Sequence, residues 1–527
     1  MARLFEYRGK ELLREAGVAV PNGIVVATAE EARAAAERIG KSVAVKAQVW
    51  TTGRFKAGAI KFADTAADAE QHAADLIGKD IKGFRVETLL IEEKIEIDRE
   101  FYAGVIVDNS HKVRAPVVMF SSEGGVDVES VAPDKIARRV VNIFEGLSLE
   151  EAQGMVRELR IEAPLAEPLA EAIRTLYEVF RAADARSAEI NPLVSTKDGR
   201  IMAADCRISI DDASVARHPE LGIVVPRESN TAPTALDLVG WKIEENDYRG
   251  SSFFAQMAQD VSEGGYIAYH AIGGGGALLA ADMLVRQGLK LANYAETSGN
   301  PTAAKVYRTA RVALDQPDLD GYCLMGAVIA SQDQWHHAHG LVKAFREMLA
   351  DKPGFPVLVL IAGNKEEEAL EILREGLQDL PIRVEVYGRS HIHQLSGVAR
   401  RMKEMADAYR AEKEKGAPSA PVPEAEKAPQ RSGDGLTRYD FRTGSIHIDE
   451  SMCDACTSLA CVKACSMYGG YLYRAKEGRR ILGISLEDVP RRCTECCACE
   501  YECRVRGEGA LTLRLPIEGL TDGDTAE

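Results

Sequence analysis

The sequence predicts a multidomain protein of mixed α+β and α/β class with a small cysteine-rich region near its C-terminal end. Its 527 residues are enough for three or four domains of ordinary size. Helix and strand patterns follow one another irregularly in the first part of the chain and alternate strictly from about residue 265. Eight of the eleven cysteines lie in two short runs near the C-terminal end. We therefore do not expect a single hydrophobic core.

The first part of the chain carries helix and strand signals in mixed order. Thr28 and Glu31 form a capping box that opens an alanine-rich helix, and the apolar run 42–48 predicts the next strand. A hairpin is predicted over residues 187–206, with its turn at Asp198-Gly199. This mixture is typical of an α+β domain.

The second part predicts a parallel sheet. Five buried strand patterns, each followed by a helical pattern, occur at 266–271, 291–295, 321–329, 356–362 and 383–387. Such alternation favours a doubly wound, flavodoxin-like fold with helices on both sheet faces. The histidines of the HHAH run lie in one of these helices, where an exposed polar face is the expected interpretation: His336, His337 and His339.

Changes in composition suggest the domain boundaries. The α+β domain covers residues 1–235 and the doubly wound domain covers residues 236–412. Residues 413–435 are rich in proline, alanine and charge, which predicts a flexible linker. The cysteine-rich domain then covers residues 436–527.

The two cysteine runs have the spacing of iron–sulfur ligands. The first is C-x2-C-x4-C-x3-C and the second is C-x2-C-x2-C-x3-C. In two-cluster ferredoxins, three close cysteines bind one cluster and the fourth binds the other. We therefore predict a ferredoxin-like domain with two [4Fe-4S] clusters. The expected ligands are Cys453, Cys456, Cys461 and Cys503 for the first cluster and Cys493, Cys496, Cys499 and Cys465 for the second.

Two four-cysteine zinc sites are the alternative, because zinc also uses CxxC pairs. Zinc does not need the trailing x3-Cys of both runs, which favours iron and sulfur. The runs depart from the simplest bacterial pattern: Ser466 and Arg504 stand where proline is usual, and the first run has x4 in place of x2. Neither departure removes a ligand. Cys497 is a ninth thiol, which we expect to fill space beside a cluster.

Composition limits the partners and the compartment. The net charge of -16 argues against nonspecific nucleic-acid binding, which needs cations to displace phosphate counterions. The N-terminal segment lacks the apolar core of a signal peptide, and apolar stretches such as 322–330 are far shorter than the ~20 residues that span a bilayer. With reduced thiols, these features predict a cytoplasmic protein without a membrane partner.

Four segments point to a known family. They are FEYRGKELL at the start, VAVKAQVWTTGRFKAGAIKF, SSEGGVDVE and EINPLVSTKDGRIMAAD. Together they resemble the ATP-grasp β subunit of succinate–CoA ligase. The resemblance covers about residues 1–412 and excludes the cysteine runs. It implies an ATP-grasp nucleotide-binding domain, a CoA-ligase-type doubly wound domain, and ATP or GTP with Mg²⁺ as cofactors.

The nucleotide residues follow from this resemblance and from their chemistry. Lys46, at the end of an apolar strand, can neutralise phosphate as a point charge. Gly53 and Arg54 belong to a glycine-bearing turn suited to close approach of phosphates. Glu92 and Glu100 match the acidic positions that flank the base and ribose in the family. Taken without the resemblance, each signal is weak, because solvated strand ends and hairpin turns look similar.

The resemblance also assigns metal and catalytic roles. Asn191 and Asp205 match the magnesium ligands, and hard oxygen ligands suit an ion that bridges phosphates. Glu189 matches the glutamate that contacts the phosphohistidine of the partner subunit, where an ionised carboxylate would orient the imidazole. Its alternative interpretation is a carboxylate at a strand edge.

The doubly wound domain keeps one glycine loop of the family and alters others. Gly273, Gly274 and Gly275 follow a strand and precede a helix, where backbone amides bind anions. The later loop, 325–331, has one glycine, and the expected triple glycine is replaced at 297–300. The identity of the carboxylate substrate is therefore open.

The chain lacks a CoA-binding domain and a phosphohistidine loop of the α-subunit type. This implies a hetero-oligomer with an α-like partner that supplies both, so that CoA enters through the complex. We predict the β-like subunit of an NDP-forming acyl-CoA ligase fused to an electron-transfer domain with its own redox partner protein. The alternative is a nucleotide-gated electron-transfer or assembly subunit of an oxidoreductase complex without ligase turnover.

Overall fold

The computed structural model describes residues 2–51, 53–110, 112–125, 131–223, 233–243, 249–298, 300–326, 333–415 and 436–520. The chain divides into two compact units, Met1–Ala232 and Pro233–Glu527. Each unit is described by itself. Among the described residues, every helix is too short or too polar to cross a membrane.

The first unit contains two antiparallel sheets and five helices among its described residues. Its strands are β1 (Ala2–Arg3), β2 (Gly23–Val26), β3 (Val43–Ala47), β4 (Ile60–Ala63), β5 (Asp80–Ile81), β6 (Phe84–Arg85), β7 (Leu89–Glu93), β8 (Ile97–Asp108), β9 (Ala115–Ser121), β10 (Ile136–Val140), β11 (Ala185–Thr196), β12 (Ile201–Ala203) and β13 (Cys206–Ile210). Its helices are α1 (Glu6–Glu15), α2 (Ala29–Ile39), α3 (Ala66–Leu76), α4 (Leu149–Glu158) and α5 (Ala166–Ala182). A small additional ladder joins β5 and β6.

The larger sheet has the order β1-β13-β11-β8-β9-β10, with β12 paired to β11. Helices α4 and α5 pack on it over one hydrophobic core. The smaller sheet has the order β2-β7-β3-β4 and carries α2 and α3. The predicted capping box of Thr28 and Glu31 is confirmed at the start of α2, and the predicted hairpin is confirmed by the pairing of β11 with β12.

The second unit begins with the predicted doubly wound sheet. Its elements are α6 (Ala235–Lys242), β14 (Ser251–Gln256), β15 (Tyr266–Ile272), α7 (Gly274–Arg286), β16 (Lys290–Leu291), β17 (Asn293–Ser298), α8 (Ala303–Leu314), β18 (Tyr322–Gly326), α9 (Trp335–Met348), β19 (Pro356–Leu360), α10 (Glu366–Leu377), β20 (Arg383–Tyr387) and α11 (Leu395–Glu414). The sheet order is β14-β17-β15-β18-β19-β20, parallel except for the edge strand β14. All five predicted strands are present.

The expected exposure of the histidine run is wrong. His336, His337 and His339 do lie on a helix, α9, but each is at most 6% exposed. Helix α9 packs against α8, α10 and the cysteine-rich region, so it has no solvent face there. His339 lies among the rings of Trp335, Tyr468 and Tyr501.

The cysteine-rich region forms the rest of the second unit. Its elements are β21 (Leu436–Phe441), β22 (Gly444–Asp449), α12 (Glu450–Ala455), α13 (Ala460–Met467), β23 (Tyr473–Lys476), β24 (Arg479–Leu482), α14 (Val489–Arg492), α15 (Ala498–Arg506) and β25 (Leu511–Arg514). Strands β21, β22 and β25 form one sheet, and β23 pairs with β24. Residues 416–435 of the predicted linker lie outside the described residues.

The cysteine-rich region and the doubly wound domain share one hydrophobic core. The Lys343 ammonium of α9 lies 2.9 Å from the Glu500 carboxylate of α15, and both side chains are buried. The backbone amide of Ala304, at the start of α8, donates to the carbonyl of Glu495 at 3.1 Å. Tyr468 donates to Glu368 of α10. These contacts make the two regions one packed body.

Candidate nucleotide site and cysteine centre

The first unit contains a buried network of ion pairs. Lys46 of β3 has its ammonium 2.9 Å from Glu6 and 2.7 Å from Glu92. The backbone carbonyl of Ala204 accepts a third bond from it at 2.8 Å. Burial alone would lower the pKa of Lys46, but the two carboxylates raise it well above its usual value. The predicted phosphate cation is therefore charged and held inside the protein.

Sequence reasoning missed two members of this network, Glu6 and Lys10. They lie one turn apart on α1, and the Lys10 ammonium lies 2.9 Å from Glu6 and 2.5 Å from Glu92. Burial would raise the pKa of Glu6, but Arg54, Lys10 and Lys46 lower it well below its usual value. The i,i+4 spacing of Glu6 and Lys10 was the available signal, although such pairs usually lie on exposed helix faces.

Arg54 joins the predicted phosphate site to the predicted magnesium site. Its guanidinium donates to both carboxylate oxygens of Asp205, at 2.8 and 2.7 Å, and lies 2.7 Å from Glu6. The preceding Gly53 has φ +66°, which a residue with a side chain adopts only with strain. Three cations and three carboxylates are thus balanced in one buried cluster, named here the charge network: Glu6, Lys10, Lys46, Arg54, Glu92 and Asp205.

Asn191 lies beside this network. Its backbone amide donates to the carbonyl of Asp205 at 3.1 Å, which holds the two predicted magnesium ligands on paired segments. Its side-chain oxygen accepts from the amide of Gly125 at 2.8 Å. A Cβ atom at Gly125 would collide with the Glu100 carboxylate. The side chain of Glu100, on β8, therefore also lies against Gly125. Asn191 and Glu100 thus both lie against Gly125, and Asp205 lies on the segment paired with Asn191.

Glu189 lies on β11, two residues before Asn191. Tyr102 donates to its carboxylate at 3.4 Å, and the Arg207 guanidinium lies 4.0 Å away. Burial raises the pKa of Glu189, and Arg207 opposes that rise. The side chain keeps 33% of its exposure, so a partner group can still reach it.

The glycine loop of the second unit opens helix α7. Gly273 has φ +79° and precedes the helix, which has no side-chain cap. A Cβ at Gly275 would meet nothing within 4 Å, so packing does not require glycine there. The amides of Gly274 and Gly275 occupy the first turn, where an anion is favoured. Gly299 and most of the later loop, 327–331, lie outside the described residues.

The eight predicted cluster ligands fall into two groups. Burial raises the pKa of Cys461 to about 12, and the thiols of Cys503, Cys453 and Cys456 add to the rise. The structure therefore gathers these four residues, although Cys503 belongs to the second run. These are the members of the first ligand set that the spacing predicts, and their binding of a cluster stays a prediction.

The second group is equally well defined. Burial raises the pKa of Cys499 well above its usual value, with contributions from the thiols of Cys496, Cys465 and Cys493. Cys465, from the first run, also accepts a bond from the amide of Leu472 at 3.1 Å. Both fourth cysteines thus cross to the other group.

The geometry can be tested against a metal centre. Within the described residues, no group of three or more His, Cys, Asp or Glu side chains is placed so that it could hold a metal ion. A tetrahedral zinc site needs four thiolates at ~2.3 Å from one atom, whereas a four-iron cluster spreads them over four atoms. Cysteines of the second group line a small cavity of about 20 Å³. The described geometry therefore shows neither a zinc site nor a formed cluster site.

Each cysteine group has one buried cation beside it. Burial would lower the pKa of Arg480, but the Cys453 thiol and Glu450 raise it. Lys343, which the doubly wound domain contributes, lowers the pKa of Cys497 against the larger effect of burial. Cys497 is 3% exposed and lies beside the second group, as expected for a thiol that fills space.

Comparisons with known proteins agree with this geometry over most of the chain. Residues 3–195 match the model of the ATP-grasp domain, and residues 252–402 match that of the ATP citrate lyase citrate-binding family. The β subunit of GDP-forming succinate–CoA ligase from Thermus thermophilus is 37% identical over 375 residues, 70% of this chain and 93% of that protein. The ADP-forming β subunit from Rubrobacter xylanophilus is 34% identical over 379 residues, 71% and 92% of the two chains.

A solved structure shows the same fold. ATP citrate lyase from Methanothrix soehngenii, in complex with citrate and coenzyme A, superposes with a TM-score of 0.61 at 20% identity. The match covers 76% of this chain and 99% of that one. The predicted ATP-grasp domain and multidomain α/β fold are therefore confirmed.

Proposed function

The chain belongs to the family of succinate–CoA ligase β subunits, and from this premise we propose that it activates a carboxylate for thioester formation with CoA. Its relatives mark it as an acid–thiol ligase subunit. The overall reaction joins a carboxylate and CoA at the expense of ATP or GTP, and it releases the nucleoside diphosphate and phosphate. The phosphoryl group passes first to a histidine of an α-like partner, then to the carboxylate, and CoA finally displaces it.

The charge network is the observation that carries this proposal. Lys46 and Arg54 are charged, and carboxylates hold their largely buried side chains in place. The phosphates of a nucleoside triphosphate can therefore replace these carboxylates as partners, and no additional cation has to enter the site. When Arg54 turns to phosphate, the Asp205 carboxylate is released. Asn191 and Asp205 would hold the magnesium ion, which neutralises phosphate charge when bound.

Glu189 supports the transfer to the partner. Its partly exposed carboxylate can accept a hydrogen bond from an imidazole of the α-like subunit and fix the orientation of the ring. Tyr102 and Arg207 hold Glu189 in place. Burial raises the pKa of Glu189, and a cationic imidazole beside it would favour the ionised form.

The substrate is a small carboxylate, and the glycine loop 273–275 would bind its carboxyl or acyl-phosphate group through backbone amides. Succinate is one candidate because of the family. The match of residues 252–402 to a citrate-binding model makes a tricarboxylate the second. Succinate and citrate are therefore both substrates in the experiment.

The cysteine centre is proposed to hold two [4Fe-4S] clusters. The spacing of the eight cysteines, and the packing of seven of them in one hydrophobic core, support this assignment. Such clusters transfer single electrons when bound. Anaerobic preparations should contain about eight iron and eight sulfide ions per chain. About two zinc ions without sulfide would support the zinc alternative instead.

A second candidate function is a nucleotide-gated electron-transfer subunit without ligase turnover. The packing of the cysteine-rich region on α8, α9 and α10 favours it, because a change in the ligase domain would reach the cysteine centre directly. In this case nucleotide binding alters electron transfer, and no acyl-CoA forms.

One experiment separates the two functions. The chain is co-purified with an α-like partner and incubated with labelled ATP, CoA and either succinate or citrate. Ligase function predicts label on a partner histidine and ADP release that depends on CoA and one carboxylate. The Asp205→Asn variant should lose the label and keep its cluster absorbance. Absence of a labelled histidine in the wild-type complex would remove the ligase proposal.

A further inference from the structure

Residues 466–492, between the two cysteine runs, are basic in an acidic protein. They contain six basic and three acidic residues, whereas the whole chain has 65 Lys and Arg against 81 Asp and Glu. Strands β23 and β24 form a hairpin in this segment, and Glu477 and Gly478 make its turn with φ of +52° and +80°. The hairpin plays no part in the chemistry proposed above.

The inner face of the hairpin lies on both cysteine groups. Tyr473 of β23 is 2% exposed and belongs to the same hydrophobic core as Cys465 and Cys499. Arg480 of β24 lies beside Cys453 of the other group. Arg480 also stacks over the Tyr473 ring at 5.1 Å. The inner face of the hairpin therefore packs toward the cysteine groups.

The outer face of the same hairpin is basic. Side chains alternate across a strand, so Arg474 and Lys476 point away from Tyr473, and Arg479 and Ile481 point away from Arg480. All four are exposed. In the described part of the chain, neither Arg474 nor Lys476 has a carboxylate within 4.0 Å.

The stability of the hairpin does not explain these cations. Lys476 lies directly opposite Arg479 in the register, and like charges in that position destabilise a strand pair. The Arg479 contact with Asp454, at 3.3 Å, joins two side chains that are each more than half exposed, so it adds little. A binding role accounts for a charge pattern that folding alone would disfavour.

Apolar side chains around the hairpin favour a protein as the bound partner. Leu486 is 65% exposed, Tyr471 59% and Ile481 38%. Aliphatic and aromatic side chains next to cations are typical of protein interfaces, whereas a nucleic-acid backbone contacts mainly the cations. The partner must be acidic to complement the outer face.

We propose that the outer face of the β23–β24 hairpin is the docking surface for a small acidic protein that carries single electrons. The proposal rests on the clusters proposed above. One electron passes between the cofactor of the carrier and the group held by the cysteines, and no bond forms or breaks. Opposite charge steers the encounter and increases its rate at low ionic strength.

The test measures cluster reduction by a chemically reduced, acidic flavodoxin under anaerobic stopped-flow conditions. The variants are Lys476→Glu and the double variant with Arg474→Glu. Lys476→Glu places a carboxylate opposite Arg479, so it should fold at least as well as the wild type. Arg400→Glu is the matched control, because Arg400 is exposed on α11 and has no carboxylate within 4.0 Å in the described part of the chain. Reduction by dithionite reports on the clusters without a carrier.

We expect the double variant to lower the bimolecular rate with flavodoxin by about tenfold at low salt. The difference should shrink at high salt, and dithionite reduction and Arg400→Glu should match the wild type. Equal rates for all variants, or an equal loss in Arg400→Glu, would overturn the docking surface. So would unchanged flavodoxin rates combined with variant-sensitive binding of a short single-stranded DNA. A chain without iron and sulfide would overturn the clusters first, and the docking surface with them.

Discussion

The nucleotide site and the cysteine centre both bury side chains that are proposed to bind a ligand, but the two sites differ in how these side chains are stabilised without it. In the charge network every charged group already has an opposite charge within 3 Å, such as Arg54 with Asp205. In the cysteine centre burial raises the pKa of thiols such as Cys499, which favours their neutral form. Under the proposed functions, the first site would exchange internal ion pairs for ligand contacts, whereas the second would lose its thiol protons when a cluster binds.

Loss of a cluster ligand should therefore have the largest effect. We expect Cys499→Ala to lose about half of the iron and to lower the melting temperature of the second unit by on the order of 10 °C, because metal binding contributes directly to folding. Cys497→Ala is the matched control, since this thiol is buried beside the second group but is not one of the eight predicted ligands. Calorimetry with iron analysis checks both. Equal iron content in the two variants would contradict the ligand assignment.

Glu6→Gln should have the next largest effect, and only on the first unit. The substitution removes one carboxylate from a balanced network and leaves Lys10, Lys46 and Arg54 with two. We expect the free energy of unfolding to fall by about 3 kcal/mol, as for other broken buried pairs. Saturating MgATP should recover more stability than in the wild type, because phosphate supplies the missing negative charge. Urea unfolding with and without nucleotide measures both quantities.

The control for this variant is Glu11→Gln, which removes the exposed partner of Arg8 on the same helix. We expect a change below ~1 kcal/mol there. If Glu6→Gln gains no more from MgATP than the wild type, the network is structural and does not exchange its ion pairs with phosphate.

Mild acid should lower the melting temperature of the second unit more than that of the first. Burial lowers the pKa of His337 and of His339 to about 3, from a usual 6.5, so both are neutral in the fold. A lowered histidine pKa stabilises the fold above pH 6.5, and that stability is lost as the pH falls toward the folded value. At pH 5, one such histidine lowers the free energy of unfolding by up to about 2 kcal/mol. Melting of the second unit should fall between pH 7 and pH 5.

The first unit should respond only in stronger acid. The pKa of Glu6 lies below its usual 4.5, so the network keeps its stability above that value and loses it as the pH falls further. Two melting transitions that separate as the pH falls from 7 to 5 would confirm the difference. His339→Phe should reduce the separation, and parallel shifts of both transitions would contradict the prediction.

The sequence predicted the periodic and local features well. The capping box at Thr28 and the five parallel strands follow from spacing along the chain, whereas the crossed cluster ligand sets stay a prediction. Lys46 and Arg54 were found because each follows a local signal, a strand end or a glycine turn. Their partner Glu6 was missed because it comes from a helix 40 residues away, and only tertiary packing brings them together.

The histidine run shows a different limit. The helix was predicted correctly, but its burial was not, since a polar helix normally turns that face to solvent. Here α8, α10 and the cysteine-rich region cover α9. The residue pattern of α9 carries no signal that another region of the chain packs on this helix. The wrong prediction of exposure therefore arises at the interface that contains Lys343 and Glu500.

That interface supplies the smallest predicted effect, measured as a coupling between residues. Lys343→Met leaves Glu500 buried without its cation and should destabilise the second unit. Glu500→Gln in addition should recover part of the loss, with a coupling energy of about 1–2 kcal/mol in a double-mutant cycle. Lys343→Met should also lower the reduction potential of the second cluster, because a nearby cation stabilises the added electron. Lys365→Met, an exposed lysine outside this contact, should change neither quantity. A zero coupling with an unchanged potential would show that the ligase domain holds the cysteine centre in place without influencing its electron.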